Sequence, residues 1–174
     1  MPAKTLFVGI GSPHGDDRLG WHVADALADR LQASETGFPG GDSAGLNAPA
    51  SLSQVAIRKA ASPADVLDWL DGIERLIICD ACRSGGQPGL AYRWTWPDRA
   101  IAQAHCTGSH DLGLANVLEL AQRLQRLPQV VIVWGVEAVT LQPQGDLSAI
   151  GFSASVAAHL ADIVESTWID IVRA

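Results

Sequence analysis

Three stretches of this chain are apolar at nearly every position yet too short to be helices: "TLFVGI" at 5–10, "LIICDA" at 76–81 and "VVIVWGV" at 130–136. A strand with one wet face alternates polar and apolar residues. A strand apolar throughout must be covered on both faces, which is what helical crossovers do to a parallel sheet. Helical patterns fall between these runs. From Asp17 to Leu31, residues Leu19, Val23, Ala26, Leu27 and Leu31 recur at helical spacing. "SPADVLDWL" opens a helix with Ser62 as cap and Pro63 in the first turn, where a missing N–H costs nothing. Further helices are expected from about Ser109 to Leu124, on Leu112, Ala115, Leu118 and Ala121 or Gln122, and from about Ser153 to Val172. "QVAIRKA" and the alternating "GLAYRWTW" supply two more strands. Strands alternating with helices predict an α/β chain, a three-layer αβα sandwich around a mostly parallel twisted sheet of about five strands.

At 174 residues the chain is expected to form a single domain over 1–174, against a prior of about 150 residues per domain. Charged residues make up 18% and net charge is −7, which argues against nucleic-acid or anionic-membrane binding, since both need a basic surface. No run reaches the roughly 18 apolar residues that span a bilayer. "MPAKTLFVGIGS" reads as a first strand broken by Gly9 and Gly11, not as a signal peptide. Three cysteines, an odd number, suit a reducing cytoplasm better than a disulfide framework. Residues 34–53, rich in Gly, Ser, Pro and Ala, form one long loop that is either functional or mobile, and a substrate-docking flap is the natural reading.

In open parallel sheets ligands bind beyond the carboxyl ends of the strands. Strand one runs there into "GIGSPHGDD". Its glycines spell G-x-G-x-x-x-G, one residue longer than the dinucleotide fingerprint, and Asp16 and Asp17 sit where phosphates would bind. "RKAAS" follows strand two in place of a ribose-binding acid. A nucleotide is therefore disfavoured. One aspartate can cap the following helix and suit its dipole. The second is surplus, a candidate metal ligand or acid/base group.

Strand three runs into Asp80, which could form an Asx-turn or cap, or could face Asp17 if strands one and three are neighbours. His110 opens the helix after "CTGS", where Ser109 already serves as cap. A histidine in a first turn is disfavoured when charged, which tilts it toward the neutral imidazole that ligates metals. Two carboxylates and one imidazole could hold a borderline cation such as Ni²⁺ or Zn²⁺ with positions open. Weaker candidates are a Cys79/Cys82 redox pair, a Cys106 nucleophile near His105 and His110, and a groove lined by Trp94, Trp96 and Trp134. His14, His22 and His159 have no partner readable from sequence.

"FVGIGSPHGDDRLG", "LIICDACRSGGQPG", "SHDLGLANVLELA" and "LQPQGDLSAIGFSASVAAHLADIV", in this order, resemble the nickel–iron hydrogenase maturation endopeptidases, with 34–53 the clearest unmatched stretch. The resemblance implies a twisted sheet between helices (phosphorylase/hydrolase-like) and a metal-dependent endopeptidase. Such an enzyme removes a C-terminal peptide from the nickel-loaded precursor of a hydrogenase large subunit. It places the family's metal-recognising and catalytic triad on Asp17, Asp80 and His110. It also implies that the nickel belongs to the substrate, with no tightly held metal of the protein's own; the chain is expected to act in the cytoplasm and as a monomer. The water-activating group stays open among Asp80, Asp16 and a metal-polarised water. On this reading the glycines let the partner's backbone approach. Two departures stand out: Arg18 where glycine is usual, and Ser12 where asparagine is frequent. A nickel-checking chaperone that does not cut, or a metal-dependent hydrolase with another peptide substrate, are the alternatives.

Overall fold

The computed structural model describes residues 4–36, 52–104, 113–139 and 151–173. Five strands form one sheet: β1 (Thr5–Ile10), β2 (Val55–Ala60), β3 (Arg75–Cys82), β4 (Ala91–Thr95) and β5 (Val130–Glu137), in the order β2-β1-β3-β5-β4. β1, β2, β3 and β5 run parallel, and β4 pairs antiparallel with β5 at the edge. The three runs read as covered on both faces are the three central strands. β1 is buried at all six positions. β4, predicted from its alternation, alternates between half-buried and exposed.

Alternate residues of the central strands feed two cores. Phe7, Ile77, Ile132 and Trp134 face α1 (Leu19–Thr36) and α4 (Ala154–Val172). Leu6, Val8, Ile78 and Val133 face a layer made by the turn at 63–69, α2 (Arg99–Gln103) and α3 (Leu114–Arg123). Each fully buried Leu, Ile or Phe contributes about 1.5–3 kcal/mol of transfer free energy, and these two layers hold most of them. The α1 stripe is Leu19, Val23, Ala24 and Leu27, and that of α3 is Leu114, Val117, Leu118 and Ala121.

Local chemistry shifts several boundaries. The helix expected from Asp17 begins as a 3-10 turn, Gly15–Arg18, before α1 starts at Leu19. "SPADVLDWL" is also 3-10, over Pro63–Trp69. A rise of about 2.0 Å per residue lets seven residues cover what would take an α-helix nine or ten. Asp65 accepts from the N–H groups of Ala61 and Ser62 at 2.9 and 3.0 Å, which anchors its start. α2 was not foreseen: Asp98 caps it by accepting from the Ala100 N–H at 2.9 Å. α3 starts at Leu114 behind Gly113, and the expected Ser109 cap and Leu112 lie outside the described residues.

Gly9 and Gly11 have an internal purpose. A Cβ on Gly9 would run into the carbonyl of Gly20 on α1, and one on Gly11 into the carbonyl of Asp17. The chain's own backbone fills the space that was read as room for a partner. Gly15, at φ 50°, supplies the left-handed residue that starts the 3-10 turn.

Candidate active site

The strand order reverses between β1 and β3, since β1 continues to β2 on one side and the sheet grows through β3 on the other. A crevice at the carboxyl edge opens at such a switch point. Asp80 sits there on β3, paired in register with Gly135 of β5. The strand runs on to Cys82, so Asp80 is a strand residue and forms neither the Asx-turn nor the cap considered from sequence. It alternates with Ile78 and Cys82 and so points to the face that carries α3.

Asp80 is 0% exposed, and among the described residues neither carboxylate oxygen has a hydrogen-bond partner of good geometry. Burial pushes its pKa well above the usual carboxylate range, the neighbouring Asp17 and Cys82 push it further, and the nearby Ala81 N–H offsets this only in part. A buried polar group without a partner costs on the order of 1–3 kcal/mol, and more if charged.

The half-buried Asp17 lies close enough for its charge to act on Asp80. Strands one and three being neighbours brings the two acids together, as the sequence reading required. Asp16, the other half of the pair, is 1% exposed and bonded elsewhere: its carboxylate accepts from the N–H of Val139 at 2.9 Å and of Ser153 at 2.7 Å. Arg18 lies with its guanidinium carbon 4.4 Å from the centroid of Phe152, and His22 meets the same ring edge-on at 5.3 Å.

His110, His105 and Cys106 lie outside the described residues. The connection that carries them leads into α3, on the face that Asp80 addresses. Two other candidates dissolve. Cys79 and Cys82 are both buried and thiol-bearing, but they belong to opposite cores, because residues three apart on a strand point to opposite faces. They cannot form a redox pair, and burial raises the Cys79 thiol out of the reactive range. Trp94 and Trp134 likewise sit on opposite faces, so no groove joins them: Trp94 stacks on Tyr92 at 5.7 Å, Trp134 donates to Asp170 at 3.0 Å, and Trp96 donates to Gln122 at 3.0 Å. His159 contacts the carbonyl of Ser155 at 2.8 Å.

Glu137, at the end of β5, was missed. Its buried carboxylate accepts from the N–H and hydroxyl of Ser84 and from the N–H of Gly85 at 2.6–3.1 Å. Desolvation works against its ionisation, but the bonds from Ser84, Gly85 and Gly86 outweigh it and hold Glu137 below the usual range. The loop after β3 is thereby fastened beside the site. The "SGG" that follows Cys82 is the sequence trace of that cradle, but its acid lies 53 residues away.

A mostly parallel sheet sheathed by helices, with two acids near each other at its switch point, defines an α/β protein with its candidate site at the carboxyl edge. A family model described as hydrogenase maturation protease, HycI, matches residues 59–168, more than half of the chain and a span that includes Asp80 and His110. The chain belongs to the hydrogenase maturation protease family, and it is a peptidase. Solved structures extend the likeness of fold over the part that carries Asp17. The hydrogenase maturating endopeptidase HybD from E. coli superposes with a TM-score of 0.66 at 22% identity, over 97% of this chain and 91% of that one. The [NiFe] hydrogenase maturation protease HybD from Thermococcus kodakarensis gives 0.64 at 19%, over 95% and 97%. An endopeptidase from Escherichia coli gives 0.67 at 21%, over 98% and 92%. No curated protein sequence matches the chain.

Proposed function

We propose that this peptidase removes a C-terminal peptide from the precursor of a nickel–iron hydrogenase large subunit after nickel has been inserted, with Asp17, Asp80 and His110 recognising the substrate's nickel and carrying the catalysis. One observation supports this above the rest: a fully buried carboxylate on the central strand, without a hydrogen-bond partner among the described residues, beside a second carboxylate. An acidic pair of that kind is complementary to a cation. With a neutral imidazole it makes a mixed oxygen–nitrogen donor set suited to a borderline metal such as nickel. No group of three potential metal ligands is assembled among the described residues. The third ligand in this proposal is His110, and the cation arrives with the substrate as its cargo.

Asp80 and Asp16 have different standings as the base that activates water. Asp16 is engaged by the backbone N–H groups of Val139 and Ser153, whereas neither oxygen of Asp80 has a hydrogen-bond partner among the described residues. Asp80 is therefore the better acid/base candidate, and Asp17 the better anchor for the metal. The working unit is taken to be the whole chain, 1–174, acting as a cytoplasmic monomer on the precursor. No helix among the described residues is long and apolar enough to cross a membrane.

The test is the intact mass of purified large-subunit precursor before and after incubation with the protein, with and without nickel. Loss of a single C-terminal peptide only in the nickel-loaded sample is the expected result. An unchanged mass with a stable nickel-dependent complex would replace cleavage by a checking role.

A further inference from the structure

The turn that carries Asp17 is held from both sides. Asp16 Oδ2 accepts from the N–H of Val139, two residues beyond the end of β5, and Oδ1 accepts from the N–H of Ser153, the N-cap of α4. One buried carboxylate thus joins the glycine-rich loop after β1 to both ends of the connection from β5 to α4. Bonds from N–H groups to an ionised oxygen are short and about twice as strong as neutral ones, and these measure 2.9 and 2.7 Å. On the other side of Asp17, the Arg18 guanidinium covers Phe152, the residue before that same N-cap. Gly15–Arg18 is a 3-10 turn, in which successive side chains are about 120° apart. With residues 16 and 18 both engaged at the start of α4, residue 17 is left to point elsewhere, and its charge is felt at Asp80.

We infer that Asp16 is the positioning residue of the site: its carboxylate, locked to the Val139 and Ser153 N–H groups, sets the rotation of the 3-10 turn and thereby directs the Asp17 carboxylate toward Asp80. The inference rests on the reading that Asp17 recognises the substrate's metal. Asn at position 16 is the sharpest probe. It has the same shape, but one of the two backbone N–H groups would then face an amide NH₂ in place of an acceptor. The turn loses one of its fastenings to a backbone N–H while Asp17 itself stays unchanged.

The experiment compares wild type, Asp16→Asn and Ile163→Val, a mild core change on α4, well below the melting temperature of each. Two quantities are read: kcat and KM for cleavage of the nickel-loaded precursor, and the ¹³C resonance of the Asp17 carboxylate in the free protein. Misplacement of a reacting group by about 1 Å costs up to about 100-fold in rate. Asp16→Asn is therefore expected to lower kcat/KM at least tenfold and to move the Asp17 resonance, while Ile163→Val changes neither. Unchanged kinetics and an unchanged Asp17 resonance in Asp16→Asn overturn the inference, as does an equal loss of activity in Ile163→Val. If wild type does not cut the precursor but the Asp17 resonance still moves in Asp16→Asn, the positioning role stands and the substrate assignment falls.

Discussion

Replacing Asp80 by Asn should make the free protein more stable and, at the same time, inactive. The sign follows from linkage. Burial and the Asp17 charge raise the folded-state value of Asp80 above its usual 3.8. A group raised in this way contributes fully to stability below the unfolded value and loses that contribution as pH climbs toward the folded one. While the native state keeps a proton that the unfolded chain has released, stability falls by up to about 1.4 kcal/mol per pH unit. Asn at 80 does not titrate, and its NH₂ can donate to Asp17. The stability advantage of Asp80→Asn should therefore grow as pH rises above the unfolded value, by up to about 1.4 kcal/mol per unit, or roughly 3–6 °C in Tm for a chain of this size. Near pH 3.5, where the side chain is protonated in both states, the two proteins should be close to equal. Urea unfolding at several pH values measures the difference, and the intact-mass assay measures cleavage. A difference that does not change with pH, or a variant less stable at neutral pH, would refute the account of Asp80 as a buried and uncompensated acid. Asp17→Asn removes the second cause and leaves burial and Cys82, so stability should fall over a narrower pH range than in wild type.

Glu137 behaves in the opposite sense. Its folded-state value is lowered, so its contribution is present above the unfolded value of about 4.5 and lost as pH falls through the folded one. Glu137→Gln should cost about 1–3 kcal/mol at neutral pH, with the gap to wild type closing in acid, as read by thermal melts. Gly9→Ala should be poorly tolerated, because its methyl meets backbone and not a movable side chain: loss of soluble protein, or a large drop in Tm, is expected. Leu27→Ala, in the α1 core, should cost about 2–5 kcal/mol in urea unfolding with little change in kcat, since it lies away from the carboxyl edge. Cleavage by the protein should be the same with and without reductant, because Cys79 and Cys82 lie on opposite faces of the sheet and cannot form a disulfide.

What this chain declares in its sequence is the architecture and the addresses. Central strands buried on both faces need an apolar run, and three such runs announced β1, β3 and β5 before any coordinates. Asp80 stood out because a carboxylate in such a run is chemically expensive, and Asp17 because one aspartate suffices to cap the following helix. What each acid does depends on distance across the sheet. Asp16 and Asp17 are adjacent and identical in the chain, yet one is fastened to N–H groups 123 and 137 residues away and the other acts on Asp80. Glu137 and Ser84 meet only because β3 and β5 pair in register, and Cys79 and Cys82 part only because a strand turns residues three apart to opposite sides. Local sequence sets periodicity and turn chemistry, whereas register and strand order are set by the packing of the whole chain. The partners of a buried charge belong to the second kind of information, and they decide its role.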